Sequence, residues 1–302
     1  MGWPARSVCP KISPVPRRQH RASRRVAGVH CLTITELARQ LSSHAHVMSK
    51  TALVVGGSRG LGLSLLEHLH SEGYEVVTTV RSLPESPLES IRYIPNVDLS
   101  LPGASASTLT SALRPSTEFD LVIVSAGYFK DDTLQTLDWE EMNKMFQICA
   151  IAPAFIVGEL VKQGSIRQGG KVVLVTTEGG SIRLRTREEG GGNYGHHASK
   201  AAANMVGKLL SIDLAKQGIT LVNIHPGFMK TEMTANIGYD KFYDEGGAVE
   251  PEEAAKSLIE FVEKHVDDSK NGSFWAPRGP RDVGEAERVL GKDLPTPLEL
   301  PW

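Results

Sequence analysis

Cysteine is scarce in this sequence, which has only Cys9, Cys31 and Cys149 among 302 residues. The number is odd, the spacings are wide and no CxxC pair occurs, so neither a disulfide framework nor a cysteine-based zinc site is predicted. We expect no bound metal. Because structural disulfides belong to oxidising compartments, their absence favours a reducing one.

Long apolar runs and an excess of one charge are also missing. No run approaches the ~18 uninterrupted apolar residues of a membrane-spanning helix, so no membrane partner is expected. The 33 basic residues nearly balance the 35 acidic ones, for a net charge of −2. Without a broad positive field, nucleic-acid binding is disfavoured. The sequence predicts a soluble globular protein whose partner is a small molecule.

The balanced total conceals a basic leader. Residues 1–47 contain eight basic residues and one acid, a charge of +7, which leaves −9 on the remaining 255 residues. This Arg-rich, acid-poor composition resembles a mitochondrial transit peptide, but four prolines interrupt any amphipathic helix. We prefer a disordered leader, or an extension upstream of a natural start at Met48, and keep an arm that binds polyanions as a third reading. We expect cytoplasmic localisation, or mitochondrial if the leader is a transit segment.

Strands and helices alternate from Thr51 onwards. The run Thr51–Val55 ends in a glycine-rich turn, and further apolar runs lie at 74–80, 121–124, 171–175, 219–224 and 273–276. Helix-length segments, as at 139–161 and 196–216, separate them. Continuous apolar strands are typical of parallel sheets buried on both faces, so the predicted fold class is α/β, a doubly wound, Rossmann-like sheet. We place one domain at residues 48–280 and a C-terminal tail at 281–302.

The first strand-to-helix turn carries the spacing GxxxGxG, formed by Gly56, Gly60 and Gly62. Missing side chains there let the backbone approach a pyrophosphate, and the helix N-terminus offers N–H donors. After the second strand, Arg81 stands where an NAD-binding fold usually has an acid. Arg81 and Arg59 could clamp a 2′-phosphate, which favours NADP(H) over NAD(H). The alternative is that both arginines are merely solvated.

Six motifs occur in order between Thr51 and Pro277 and together resemble the short-chain dehydrogenase/reductase family. The motifs are Gly56-Gly-Ser-Arg-Gly-Leu-Gly62, Val97-Asp-Leu99, Ser125-Ala-Gly127, Thr177-Glu-Gly-Gly180, Ser199-Lys-Ala-Ala202 and Pro226-Gly-Phe-Met-Lys-Thr231. The glycine-rich stretch 191–200 looks most like the small carbonyl-reductase-type branch. The resemblance also implies helix pairing into a homodimer or homotetramer, for which Met142, Met145, Phe146 and Ala201–Ala203 offer apolar or small surfaces.

The resemblance implies roles for individual residues around an NADP(H) cofactor. Asp98 would contact the adenine, Ser125 would lie beside the ribose, and Met229 and Thr231 would bracket the nicotinamide carboxamide. The complete implied cofactor set is Gly56, Ser58, Arg59, Gly60, Leu61, Gly62, Arg81, Asp98, Ser125, Lys200, Met229 and Thr231.

The catalytic relay departs from the family's pattern. The family uses a Tyr as proton donor, a Lys four residues later, a Ser that orients the substrate and an Asn that anchors a water. Lys200 is kept, whereas the Tyr position holds His196, the Ser position Thr177 and the Asn position Cys149. An imidazole can donate a proton near neutral pH, although a neighbouring ammonium lowers its pKa. Thr177 keeps the hydroxyl, and Cys149 is expected to pack as a small buried hydrophobe.

Other residues near this relay have two possible interpretations each. Tyr194 is a reserve acid if the glycine-rich approach lets it swing inward, and otherwise a surface residue. The charged loop residues Glu178, Arg183, Arg185, Arg187, Glu188 and Glu189 either reach the substrate or, as we prefer, are solvated. The segment 232–249, with Tyr239, Phe242 and Tyr243, suits a lid over an apolar substrate, or packs on the domain edge.

Two classes of function follow. The first is an NADP(H)-dependent oxidoreductase that reduces a carbonyl or an imine or iminium group of a small molecule. An iminium acceptor would need no proton from the protein. The second is a non-redox protein that keeps an NADP-shaped cleft, as a sensor or as a catalyst of cyclisation or dehydration. The intact cofactor motifs favour the first class, and the altered relay favours the second.

Overall fold

Eight strands form one sheet in the part of the chain that a computed structural model describes, residues 49–302. The leader predicted for residues 1–47 lies outside it. The strands are β1 Thr51–Val55, β2 Glu75–Thr79, β3 Arg92–Ile94, β4 Phe119–Val124, β5 Ile166–Val175, β6 Thr220–Ile224, β7 Phe274–Ala276 and β8 Leu298–Glu299. Their order is β3-β2-β1-β4-β5-β6-β7-β8, and only β8 is antiparallel to its neighbour.

Helices cover both faces of this sheet. They are α1 Gly60–Ser71, α2 Pro102–Ala112, α3 Trp139–Phe146, α4 Ala152–Lys162, α5 Tyr194–Ala215, α6 Glu232–Ala235, α7 Pro251–His265 and α8 Ala286–Leu290. Strand β1 shows how the two cores form, because Ala52 and Val54 join the core under α1 and α7, whereas Leu53 and Val55 join the core under α2 and α4. Both sides of the strand are buried, which explains its uninterrupted apolar sequence. The predicted doubly wound α/β fold is confirmed.

A widened helical turn, Gln147–Ile151, joins α3 to α4. Pro153 follows it and has no N–H to donate to the carbonyl of residue 149, so regular helical bonding is interrupted there. The stretch Trp139–Lys162 is long and apolar enough to cross a membrane by length and composition, but 44% of its apolar window is buried inside the domain. Met145 is fully buried, so it offers no surface to a second subunit, contrary to the prediction.

The C-terminal segment corrects the predicted domain boundary. Residues 281–302, expected to be a tail, contribute α8 and the edge strand β8, so the folded domain continues to the last residue. Val283, Ala286, Leu298 and Leu300 pack with Phe274 of β7 in a third apolar core. Strand β8 comprises two residues and leaves no periodic signal in the sequence, which is why it was missed.

Candidate active site

A cavity of about 1070 Å³ opens at the carboxyl ends of the central strands. Its wall contains residues that directly follow β1, β2, β4, β5 and β6, where the chain leaves the sheet. The strand order reverses between β1 and β4, and open parallel sheets bind their ligands at such a switch point. All twelve residues of the predicted cofactor set line this one cavity.

The glycine turn after β1 is built by close packing. A Cβ on Gly62 would lie 2.0 Å from the carbonyl oxygen of Gly56, and a Cβ on Gly56 would lie 2.6 Å from Cβ of Ala126. Gly60, with φ of +52°, opens helix α1. No side chain caps this helix and its first turn has no acidic residue, so its N–H groups and positive end are free for an anion.

The two arginines predicted to bind a 2′-phosphate differ in their contacts. Arg59 Nη1 lies 2.7 Å from Glu232 Oε2 of α6, and both side chains are largely exposed. Arg81 lines the cavity and lies near Asp98. The Ser100 backbone N–H, with smaller help from the Ser100 hydroxyl and Arg81, lowers the pKa of Asp98, so this carboxylate is ionised at neutral pH.

Lys200 occupies the centre of the site on helix α5. Only 7% of the residue is exposed, and its Nζ donates to the carbonyl oxygen of Val175 at 3.0 Å. A Cβ on Gly127 would lie 3.7 Å from this ammonium, so the segment after β4 runs directly beside it. Small residues at this point leave the ammonium accessible from the cavity.

His196 lies one helical turn before Lys200, and its ring stacks on Phe129 with centroids 3.9 Å apart. Its Nδ1 is buried, and no group in residues 49–302 hydrogen-bonds to it. Burial first, then the charges of Lys200 and His197, lower the pKa of His196 well below its usual value. The sequence predicted that the pKa of His196 is lowered, but it gave the Lys200 ammonium as the cause, whereas burial is the larger one. The imidazole is therefore neutral at physiological pH.

Thr177 and Cys149 take the other altered positions of the relay. Thr177 lines the cavity, and its Oγ1 accepts the N–H of Gly179 at 3.3 Å at the start of a short turn. Cys149 is 3% exposed within the widened turn, and its thiol has only a long contact of 3.5 Å to the carbonyl oxygen of Tyr128. It packs as the small buried hydrophobe that the sequence predicts.

Tyr194, the reserve acid, does not line the cavity. It is the first residue of α5, and its backbone N–H donates to Asp132 Oδ1 at 2.6 Å. Asp132 Oδ2 also accepts the N–H of Gly195 at 2.9 Å, so a buried carboxylate from the loop after β4 caps the helix that carries Lys200. Sequence reasoning missed Asp132 because it is 62 residues from the helix that it caps.

The predicted lid contributes aromatic rings to the cavity. Tyr239 packs edge-on against Phe129 with centroids 5.8 Å apart, and Phe242 packs edge-on against Tyr239. The Tyr239 hydroxyl accepts from Asn193 Nδ2 at 2.9 Å, which ties this segment to the start of α5. Tyr243 instead turns inward, with its hydroxyl 2.8 Å from Thr234 Oγ1.

The charged loop divides into two groups. Arg183, Arg187 and Glu188 are exposed, as the preferred reading of a solvated loop expects. Arg185, Glu178 and Glu189 are instead mostly buried and line the cavity. For these three residues the preferred prediction, that they are solvated, is wrong. Their burial could not be inferred from sequence, because this loop is held through Leu184, which packs in the third core with Val283, Ala286 and Leu298 of the segment predicted as a tail. No cluster of metal-binding side chains occurs in residues 49–302.

Comparison with known proteins agrees with this geometry. The family model of the short chain dehydrogenases matches residues 50–241. The chain belongs to the short-chain dehydrogenase family. The family predicted from six sequence motifs is thereby confirmed.

Relatives of this short-chain dehydrogenase are enzymes of several kinds. It is 29% identical over 214 residues to 1-hydroxy-2-glutathionyl-2-methyl-3-butene dehydrogenase of Rhodococcus sp. (strain AD45), a match that covers 70% of this chain and 90% of that protein. It is 26% identical over 226 residues, with the same two coverages of 70% and 90%, to the 3-oxoacyl-[acyl-carrier-protein] reductase FabG of Aggregatibacter actinomycetemcomitans.

Two carbonyl reductases are among the solved structures that share the fold of this short-chain dehydrogenase. NADPH-bound carbonyl reductase from chicken fatty liver superposes with a TM-score of 0.62 at 20% identity, covering 76% of this chain and 96% of that one. The carbonyl reductase Sniffer of D. melanogaster superposes with a TM-score of 0.63 at 20% identity, covering 84% of this chain and 100% of that one.

Proposed function

We propose that this short-chain dehydrogenase is an NADP(H)-dependent oxidoreductase that reduces a carbonyl or an imine or iminium group of a small molecule. The observation that carries the proposal is the nearly buried Lys200 ammonium, which shares one cavity with the uncapped N-terminus of α1. The NADPH-bound carbonyl reductase with the same fold supports this assignment.

The chain's own residues fit such a cofactor. The open end of α1 suits a pyrophosphate, because its N–H groups lack side-chain partners and no acid neutralises its dipole. Asp98 and Ser125 line the cavity on either side of Gly56, at positions suited to the adenine and the ribose. Arg81 supplies a guanidinium for a 2′-phosphate, and Arg59 would join it by exchanging Glu232 for the phosphate.

The reactive end of the cavity combines three side chains. Bound NADPH would supply the hydride. Lys200 would hold the ribose and keep a positive charge near the acceptor, and the Thr177 hydroxyl would orient the acceptor atom by a hydrogen bond. His196 would donate a proton to a carbonyl oxygen only from its protonated form, which its burial disfavours.

The state of His196 also favours the second candidate, a non-redox protein that keeps the cleft. A neutral imidazole stacked on Phe129 is a weak proton donor, and Cys149 offers no amide to hold a relay water. Such a protein would bind NADPH without oxidising it in the presence of any acceptor.

The test is consumption of NADPH by the purified protein with a panel of aldehydes, ketones and iminium ions. We expect turnover with at least one class of acceptor, and loss of both turnover and NADPH affinity in Lys200→Ala. NADPH binding without turnover on any acceptor would support the non-redox candidate instead. The absence of NADPH binding would contradict both.

We also propose that two copies pair along α4 and α5. Phe155, Met205, Leu209 and Ile212 are between 48% and 60% exposed there, which is unusual for large apolar side chains grouped on two adjacent helices. Sedimentation velocity tests this assembly: we expect a dimer or tetramer, and a shift toward monomer in Leu209→Glu. A monomeric wild-type protein would contradict it.

A further inference from the structure

Three carboxylic acids, Glu178, Glu189 and Asp282, line the cavity beside the reactive end and are called here the acidic wall. They come from separate parts of the chain, since Glu178 follows β5, Glu189 precedes α5, and Asp282 belongs to the C-terminal segment. Glu178 lies in the motif Thr177-Glu-Gly-Gly180, but no role in the cofactor site or the relay has been assigned to any of the three. The wall is therefore a feature of this chain's substrate side.

Asp282 is the most buried member of the wall. Its side chain is 3% exposed, and Oδ1 lies 3.1 Å from Arg278 Nη2. Its Oδ2 is buried, and within residues 49–302 no donor hydrogen-bonds to it. A Cβ on Gly227 would lie 2.9 Å from this oxygen, so the free carboxylate oxygen stands against the segment that follows β6.

Glu178 and Glu189 share a single guanidinium. Arg185 Nη2 lies 2.8 Å from Glu189 Oε1 and 3.6 Å from Glu178 Oε2. The first contact is an ion pair without hydrogen-bond geometry, and the second distance is too long for a hydrogen bond. Among the described residues, Arg185 Nη2 and Glu178 Oε2 are therefore both buried without a hydrogen-bond partner. Burial is the largest cause that raises the pKa of all three acids, so their negative charge is incompletely compensated.

The charges of the wall do not cancel. Its three carboxylates face two guanidinium groups, those of Arg185 and Arg278, which leaves one negative charge on the wall when all are ionised. Glu253 Oε1 also lies 3.4 Å from Arg278 Nη1, so this guanidinium is shared with a further acid. Lys200 also lines the cavity, so the excess negative charge belongs to the wall and not to the cavity as a whole. Arg281 also lines the cavity, but its Nη2 lies 3.1 Å from Glu253. The aromatic rings of Phe129 and Tyr239 also line the cavity, and aromatic rings attract organic cations.

We propose that this cavity takes an organic cation, an iminium ion, as its substrate, an inference that rests on the proposed function. The acidic wall and the aromatic rings would hold the positive charge while the C=N carbon faces the cofactor. Hydride from NADPH would form the new C–H bond as the C=N π electrons become a lone pair on nitrogen. The products are a neutral amine and NADP⁺. No proton is required from the protein, which is consistent with a neutral His196 in place of the family's tyrosine.

The experiment measures binding rather than turnover, with two bicyclic probes that cannot accept a hydride. N,N-dimethyltetrahydroisoquinolinium carries a permanent positive charge, and tetralol is neutral and of similar shape. Each is titrated calorimetrically into the cofactor-free and the NADPH-loaded protein. The variants are Glu178→Gln and Asp282→Asn, and Glu260→Gln, an exposed acid of α7, is the control with the same change of charge.

We expect the wild type to bind the cation at least about tenfold more tightly than tetralol, because opposite charges attract strongly where water is scarce. Glu178→Gln and Asp282→Asn should each weaken cation binding about five- to tenfold with tetralol binding unchanged. Glu260→Gln should change neither. If Asp282→Asn does not fold, Glu178→Gln alone decides the question.

Equal affinities for the two probes in the wild type would overturn the inference, as would an equal loss of both probes in the wall variants. Its failure is separable from failure of the proposed function. A protein that binds NADPH and reduces neutral ketones but shows no preference for the cation refutes the cation inference alone. A protein that prefers the cation but binds no NADPH refutes the reductase alone.

Discussion

His196 is the residue on which the chemistry depends most. The same helical spacing that places the family's tyrosine one turn before the lysine places an imidazole beside Lys200 here. The ring stacks on Phe129, and its burial, followed by the charges of Lys200 and His197, lowers its pKa and keeps it neutral. A neutral imidazole can accept or donate a hydrogen bond, but it protonates a developing alkoxide poorly. We therefore expect His196 to support the reduction of acceptors that need a proton, such as ketones, poorly. Acceptors that need no proton, such as iminium ions, should not depend on its acidity.

Replacing His196 by Phe should affect the two kinds of acceptor differently. With a ketone such as tetralone, the wild type would react slowly through the small protonated fraction of His196, and we expect that turnover to fall by ~10²–10⁴ when this acid is lost. With N-methyldihydroisoquinolinium, turnover should stay within about threefold, because hydride transfer completes the reaction. The measurement is kcat and KM on both substrates, with Tyr194→Phe as a control outside the cavity. Equal losses on both substrates would assign His196 a structural role instead.

The sequence predicted many of the residues that line the cavity because the motifs are local. Gly56, Ser125 and Lys200 each follow a strand or lie on a helix that can be located from the sequence, and all three line the cavity. Asp98 lines it too, although it follows the short edge strand β3. Asp282 could not be found in this way. Its position beside Gly227 depends on the path of the C-terminal segment, and nothing in its neighbouring sequence indicates a buried carboxylate.

At the scale of elements, two helical glycines differ in whether their packing requires the missing side chain. Gly62 sits in α1 against the carbonyl oxygen of Gly56, so the helix and the preceding strand touch through backbone atoms. Gly158 sits in α4, and a Cβ there would meet nothing within 4 Å. One glycine is needed for contact, while the other only lowers helix stability.

Alanine at these two positions should have opposite effects. Gly62→Ala forces α1 away from the turn, so we expect a clear loss of stability and weaker NADPH binding. Gly158→Ala should raise the free energy of unfolding by about 0.5–1 kcal/mol, because alanine favours the helix. Urea unfolding measures both changes. A Gly62→Ala protein with wild-type stability and NADPH affinity would refute this packing argument.

Element prediction succeeded where a strand is central and failed where it is an edge. The bounds of β1 were predicted correctly, because a continuous apolar run ends at glycines. Strands β3 and β8, with three and two residues, lie at the sheet's two edges and have no such run. Tertiary contacts decide their pairing. Leu298 of β8, for example, pairs with Ala276 of β7 and packs in the same apolar core as Phe274.

For the whole molecule, one buried and two partly buried histidines couple stability to pH. Burial is the largest cause that lowers the pKa of His196, His197 and His225 in the folded chain. Unfolding returns each to an ordinary pKa near ~6.5, so the unfolded chain binds more protons below that pH. The three histidines therefore have no effect on the free energy of unfolding above about pH 6.5, and they reduce it as the pH falls below that value.

We expect the melting temperature to fall by several degrees between about pH 7.5 and pH 6, with protons taken up on unfolding. The raised pKa values of Glu178, Glu189 and Asp282 act in the opposite sense, because their folded forms bind protons more readily. Their effect belongs mainly to lower pH, nearer the ordinary carboxyl range. Calorimetry in buffers of different ionisation enthalpy measures the proton uptake. Proton release near pH 6 would show that the carboxyl groups dominate.

The most direct test of the whole account is the ratio of NADPH to NADH affinity. Arg81 and Arg59 flank the cofactor end of the cavity, so we predict that NADPH binds at least about tenfold more tightly, which is about 1.4 kcal/mol. Arg81→Asp should reverse the preference by repelling the 2′-phosphate. Calorimetric titration of both nucleotides into the wild type and this variant measures the ratio. Equal affinities in the wild type, or no binding of either nucleotide, would contradict the account.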